Sequence, residues 1–349
     1  MMGLSARFAT QPDIVARGSI YRAKACAALK ADLENICLEN IQACILIGNN
    51  FFGEGNADVE SLYFGLASRM TQLLNLGVCN EEDDGPTREV KRRIYWTCFI
   101  IDTWASSGSN VSRQFRQQAN HPRAPMDEYV FYNMKPGDPD IPDFQWRSGL
   151  WGHMVNTVEI YTEIQNFQQS LADAAEWNEA LIDDAVQRLE HKLGAFEQVL
   201  GPNLKFSREN LAAFVERGLG RVFVAFHLGY HHYYTLLYYH CLDRRRPHTK
   251  NGKKYSDSCK AHAAIVCDVL KASREVTGAE AVYNIVGHVT IVSSFDKWMV
   301  KFLIAHALTL EEKADDSWPS PHAIPLFGDD HLERGLITQA MIEDIQWQI

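Results

Sequence analysis

The sequence predicts an all-α fold, a single irregular multi-helix bundle of about ten helices. Three observations predict it. Apolar residues recur at helical spacing through most of the chain, and no segment shows the alternation of a half-buried strand. Glycine, proline and asparagine fall between the periodic segments, where they break or cap helices. Apolar residues make up 46% of the 349, ample for a sizeable core.

Taken in order, residues 14–32 and 36–50 read as two helices with a short break. FFGEGNADVE follows as a turn, with Gly53, Gly55 and Asn56 as breakers and cap. A third helix spans 57–76, and Gly77 is its expected C-cap. Pro86 suits the first turn of a fourth helix at roughly 87–107, because the ring costs no hydrogen bond there. In that helix Val90, Ile94, Cys98, Ile101 and Ala105 form one stripe, and Trp96, Phe99 and Ile100 widen it nearly all round. Such a helix belongs in the middle of a bundle. Its basic first turn opposes the helix dipole, so Arg92 and Arg93 need carboxylates, and the acidic EEDD at 81–84 is close in sequence.

Residues 108–145 are polar and rich in proline and glycine, too long for a routine connection, and should wrap over the bundle or line a cleft. Helices resume at 146–172, 177–199, 208–243, 256–275 and 281–311. GLGR at 218–221 reads as a glycine pair inside a helix that permits close packing. The domain reading is an N-terminal tail at 1–14, one helical domain at 15–311, and a proline-containing tail at 312–349 with a terminal helix at 330–346.

Charge and cysteine content exclude several classes. Lys plus Arg number 34 against 44 Asp plus Glu, a net charge of −10, so the chain as a whole repels phosphate backbones. The eight cysteines contain no C-x-x-C pair and sit mostly in apolar runs, as free thiols in a reducing compartment do. No stretch reaches the ~18 apolar residues of a membrane span. There is no G-x-S-x-G elbow, Walker loop or G-x-G-x-x-G.

GLASRMTQLLNLGV (65–78), an acidic loop, and EVKRRIYWTCFIIDTWASSG (89–108) together resemble the regulatory middle homology domain of fungal zinc-cluster transcription factors. Gly65, Ala67, Arg69, Met70, Leu74 and Gly77 fit its G-x-A-x-R-M-A-x-x-L-G-L helix end. Arg92, Arg93, Trp96 and Asp102 fit its R-R-x-x-W-x-x-x-x-x-D helix. Ser107, Gly108 and Arg113 partly fit the following turn, with Gln114 where Pro is usual, and APMDEYVF (124–131) fits the next element with Ala124 in place of Leu. HLGYHHYYTLLYYHCLDR (227–244) is similar to the family's long apolar Y-H helix. Those factors bind DNA through a six-cysteine zinc module. Cys26, Cys37 and Cys44, spaced 11 and 7 apart on apolar helices, do not supply one. The resemblance therefore implies a regulator-type fold and carries over no DNA binding.

Two residue sets are the candidate sites. Arg92, Arg93, Trp96 and Asp102 read as a structural motif, in which arginine meets carboxylate, tryptophan fills the core and Asp102 caps or pairs. His227, Tyr230, His231, Tyr234, Tyr238 and His240 are the candidate ligand-binding groups, with hydroxyls and imidazoles to orient a small molecule, and their bland alternative is a packed core with satisfied polar tips. His227 and His231 have zinc-binding spacing, but Leu228 replaces the glutamate of H-E-x-x-H and no third ligand is evident, so no metal or cofactor is expected. The basic run DRRRPHTKNGKK (243–254) reads as a solvated loop, or alternatively as a nuclear-import or phosphate patch.

The expected function is that of a transcription regulator's effector domain, nuclear, responding to a small-molecule effector or to proteins of the transcription machinery. It would reach genes through a DNA-binding partner chain or module, with no direct nucleic-acid contact and no membrane. The alternative is a cytoplasmic enzyme of small-molecule biosynthesis using His227, His231, His240 and nearby tyrosines as acid–base groups. A third reading is a scaffold that homodimerises through 330–346.

Overall fold

The computed structural model describes residues 1–282, apart from 79, 109–111, 116–120, 175 and 243–248. The expected helices at 281–311 and 330–346, the proline-containing tail and most of the basic run lie outside the described residues. The chain divides into two compact units, 1–155 and 156–349. Among the described residues all regular structure is helical, with a lone bridge between Met126 and Ser148 as the sole trace of pairing.

The first unit holds the short α1 (Met2–Ser5) and α2 (Pro12–Ala16), then α3 (Gly18–Ala31), α4 (Leu38–Phe52), α5 (Ala57–Leu73), α6 (Gly85–Gly108) and the short α7 (Glu128–Asn133). Its centre is the packing of α4, α5 and α6 on one another. Ile41, Cys44 and Ile47 meet Tyr63, Phe64, Ala67 and Met70, with Ile94, Tyr95, Cys98 and Phe99 behind them, all buried. Gly48 lets α4 approach α5, since a Cβ there would run into the Phe64 ring. The stripe expected on α6 is buried at Ile94, Cys98 and Ile101.

Helix α5 stops earlier than expected. Asn75, at φ 50°, takes the left-handed position assigned to Gly77. The N–H of Leu76 reaches back to Thr71 at 3.2 Å and that of Asn75 to Gln72 at 3.1 Å. This is a Schellman ending, with asparagine instead of glycine at the turn.

The second unit contains most of α8 (Leu150–Asp173), whose first turn belongs to the first unit, then α9 (Glu179–Val199), α10 (Arg208–Glu216), α11 (Gly220–Tyr238) and α12 (Gly252–Glu275). Helix α11 lies along α12 and also packs on α9 and α10. It is apolar nearly all round and is buried nearly all round, as such a helix must be. The single helix expected over 208–243 is instead α10 and α11. Gly218, at φ +72°, breaks it, with Leu219 N–H returning to Phe214 at 2.8 Å. Close packing does hold at the second glycine: a Cβ on Gly220 would stand 2.6 Å from the carbonyl oxygen of Gly278.

No described helix is long and apolar enough to cross a membrane. Cys44, Cys98, Cys241, Cys259 and Cys267 are buried free thiols, and burial pushes Cys98 and Cys259 up to about 12.

Candidate functional site

The basic start of α6 is a knot of buried charge. Glu89 has no exposed surface and both its oxygens are engaged. Oε1 takes the Met126 N–H at 3.0 Å and lies 2.9 Å from Arg93 Nε as an ion pair, while Oε2 takes Arg92 Nη1 at 3.3 Å. Arg92 extends to both oxygens of Asp140 and lies 4.9 Å from the Trp146 ring centre. Arg123 covers the same ring at 3.9 Å and also holds Asp140, at 3.1 Å. Arg93 donates to the Met126 carbonyl at 2.8 Å and sits over the Phe131 ring at 4.6 Å. Burial raises the Glu89 carboxyl, against the lowering pull of Arg93, the Met126 N–H and Arg92.

The same helix ties down the long irregular segment. Trp96 is buried and donates its indole N–H to the Arg123 carbonyl at 2.9 Å. Asp102 accepts the backbone N–H groups of Gln114 at 3.2 Å and Phe115 at 3.0 Å, while burial lifts its carboxyl above the ordinary range. Glu128 receives the N–H groups of Leu150 and Trp151, both at 2.9 Å, and so caps α8. The four motif residues thus sit along α6 and tie down Gln114, Phe115, Arg123, Met126 and Asp140. The arginine partners differ from the expected EEDD segment: Asp83 of that segment takes Lys91 at 2.6 Å, and Asp84 caps α6 through Thr87 N–H at 2.9 Å. Glu89, Glu128 and Asp140 were not singled out in the sequence. The i+3 and i+4 spacing of Glu89 to Arg92 and Arg93 was the signal that could have found the first.

The histidine–aromatic set forms a ladder of rings along α11. His227 and His231 stack at 5.8 Å, Tyr230 meets Tyr234 edge-on at 5.4 Å, and Tyr234 lies 6.1 Å from Tyr238. Tyr238 stacks on Tyr255 of α12 at 5.5 Å. His262 of α12, unremarked in the sequence because it is a lone histidine on an amphipathic helix, completes the ladder. It stacks on Tyr234 at 3.9 Å, and its Nδ1 is 3.0 Å from Nδ1 of His231. Only one of those nitrogens can carry the shared proton, so the pair cannot be doubly charged and keep the bond. His240 stands apart from the ladder, packed on Phe167 and Trp177 with its Nε2 3.2 Å from Cys241 Sγ.

Burial sets the protonation of the ladder. It lowers His227 to about 4, against the raising effect of its Nε2 bond to the Leu204 carbonyl at 3.0 Å. It lowers His262 to about 4 as well, and His231 falls well below the ordinary range through burial and its two imidazole neighbours. All three are neutral at pH 7. Tyr230 and Tyr238 are raised, first by burial, and remain phenols. Among the described residues no group of three or more His, Cys, Asp or Glu side chains is arranged to hold a metal ion.

Comparison with known proteins assigns the chain's kind. Residues 2–133 match the family described as fungal specific transcription factor domain, a span that takes in Glu89, Arg92, Arg93 and Arg123 of the charge knot but stops short of Asp140. An uncharacterized transcriptional regulatory protein of Schizosaccharomyces pombe is 30% identical over 112 residues, covering 29% of this chain and 16% of that protein. A Zn(2)-C6 fungal-type transcription factor of Fusarium oxysporum f. sp. lycopersici is 23% identical over 296 residues, covering 74% of this chain and 31% of its own length. The chain thus spans less than a third of either relative. No solved structure matches. Residues 2–133 thus match the fungal specific transcription factor domain, and the chain is a distant homologue of the zinc-cluster fungal transcription factors.

Proposed function

We propose that the chain is a regulatory domain that receives a signal from a small-molecule effector or a protein partner. It acts in the nucleus on the transcription machinery, through DNA contacts made by another module or chain. One observation carries this reading: the arginines that make α6 look like a nucleic-acid reader face inward. Arg92 is 6% exposed and committed to Glu89 and Asp140, and Lys91 is committed to Asp83. Phosphates would have to compete with those carboxylates, in a chain whose net charge is −10. The ring ladder of α11 and α12 supports a receiver that switches between helix packings, since a ligand acts by favouring one packing over another. Ring-on-ring burial fits that mechanical role better than acid–base catalysis.

The test has two arms. The purified chain should give no sequence-specific gel shift at 0.2 M salt. Fused to an unrelated DNA-binding domain in a fungal cell, it should change transcription from a matching reporter. A specific shift that survives raised salt overturns the proposal, as does a fusion that leaves the reporter unchanged.

A further inference from the structure

Helix α3 is the long helix of the first unit that buries least. Of its residues only Leu29 is buried, and its inner edge is held through Leu29, the half-buried Cys26 and Arg22, which pairs with Glu54. The opposite face carries Arg17, Ile20, Lys24, Ala27 and Ala31, all of them exposed. Alternating steps of three and four place these five in one row, about 21 Å long at the helical rise. Ile20 leaves 52% of its surface in solvent, and the exposed Lys30 flanks the row.

The cations of this face are unneutralised. No Asp or Glu lies between Asp13 and Asp32. On α9 and α12, exposed cations meet a carboxylate four residues away: Arg188 meets Asp184, Lys253 meets Asp257 and Lys271 meets Glu275. On α3 the side chains of Arg17, Lys24 and Lys30 make no ion pair among the described residues. Helix stability does not account for them. Lys30 in the last turn suits the dipole, but Arg17 at the N-cap opposes it. A positive, partly apolar row thus stands open on a chain whose net charge is −10.

The order of residues along the row selects its occupant. A bilayer takes a wide face of large apolar side chains with the cations on the other side. Here the cations share a line with the apolar residues, and two of the three apolar residues are alanines, which insert little area. Phosphates have no use for Ile20 and its alanine neighbours, and the acidic chain repels them. A second copy would set cation against cation. An amphipathic helix with acidic groups in its apolar seam answers both features, and the alanines let its backbone come close.

We propose that the outer face of α3 docks an acidic amphipathic helix of a partner protein. Its apolar residues cover Ile20, Ala27 and Ala31, and two of its carboxylates, seven residues apart, meet Arg17 and Lys24. This rests on reading the chain as a receiver of protein signals and names the chemistry of the partner.

Fluorescence anisotropy of the full chain tests it. The probe is a labelled synthetic helix of three heptads, with leucine on its apolar face and glutamate at every seventh position. The same peptide with lysine for each glutamate is the counter-probe. The glutamate peptide should bind saturably, one per chain, and weaken as salt rises. Lys24→Glu should weaken it at least tenfold, and Ile20→Asn several-fold. Arg188→Glu, the same charge change on α9, should leave its affinity unaltered. Both α3 side chains are exposed, so the thermal midpoints of these variants should match the parent's. No saturable binding, equal affinity in Lys24→Glu, an equal loss in Arg188→Glu, or tighter binding of the lysine peptide each overturns the proposal. So does co-sedimentation with phosphatidylserine vesicles, or a shift of a DNA duplex, that Lys24→Glu abolishes. The readout is direct binding, so its failure is separate from failure of the reporter fusion above.

Discussion

A carboxylate buried between two arginines costs more than it returns unless each oxygen is used, and at Glu89 both are. Removing it leaves Arg92 with Asp140 as its carboxylate partner, breaks the ion pair with Arg93 and strips the Met126 N–H of its acceptor. Glu89→Ala should cost about 3–5 kcal/mol, the range for breaking a buried ion pair from one side. The urea midpoint of unfolding checks it. Asp143→Ala should be nearly silent in the same assay, because its carboxylate is 89% exposed although it too pairs with an arginine. The contrast also explains what was readable in the sequence. Arg92, Arg93 and Trp96 stood out because two cations precede an apolar run. Glu89 did not, because a glutamate beside lysine and arginine looks like a solvated face. Asp140 lies 48 residues from Arg92, and no local pattern signals such a pairing. His262, 31 residues from His231, was hidden for the same reason.

At the scale of elements, glycine has two opposite roles here. Gly218 sits at φ +72° between α10 and α11, where a side chain is strained. Gly194 lies inside α9 with open space where a Cβ would go. Gly218→Ala should destabilise by about 1–2 kcal/mol, the cost of a left-handed residue with a Cβ. Gly194→Ala should stabilise by about 0.5–1 kcal/mol, because it relieves the entropy cost of glycine in a helix. Thermal unfolding of the two variants should therefore move the midpoint in opposite directions. Helix existence was legible because the 3.6-residue period is strong in each segment. The break at Gly218 was not, since apolar residues continue at helical spacing on both sides of it. The ending of α5 was misplaced by three residues for a related reason: asparagine at 75 takes the left-handed turn that the nearby glycine invited.

At the scale of the whole molecule, the two units carry buried titrating groups of opposite sign. In the second, His227 and His262 have folded pKa values of about 4 against an ordinary 6.5. A depressed histidine binds its proton more readily unfolded than folded. Its contribution is whole above pH 6.5 and is lost as pH falls toward 4, reaching about 2 kcal/mol for each by pH 5. In the first unit, burial raises Glu60 to about 7 from an ordinary 4.5. There the folded state holds the proton more tightly, so stability is greatest below pH 4.5 and is lost as pH rises through 7, by about 3 kcal/mol in all. Acidification from pH 7 to 5 should therefore loosen residues 156–282 while it firms residues 1–155. Hydrogen exchange resolved by peptide measures this, once rates are corrected for the pH dependence of the chemistry. Helices α11 and α12 should lose protection, and α4 and α5 should gain it. Glu60→Gln should remove the gain in α5 and leave the loss in α11 unchanged. Equal loosening of both units in the parent chain would show that these buried groups do not govern its response to acid.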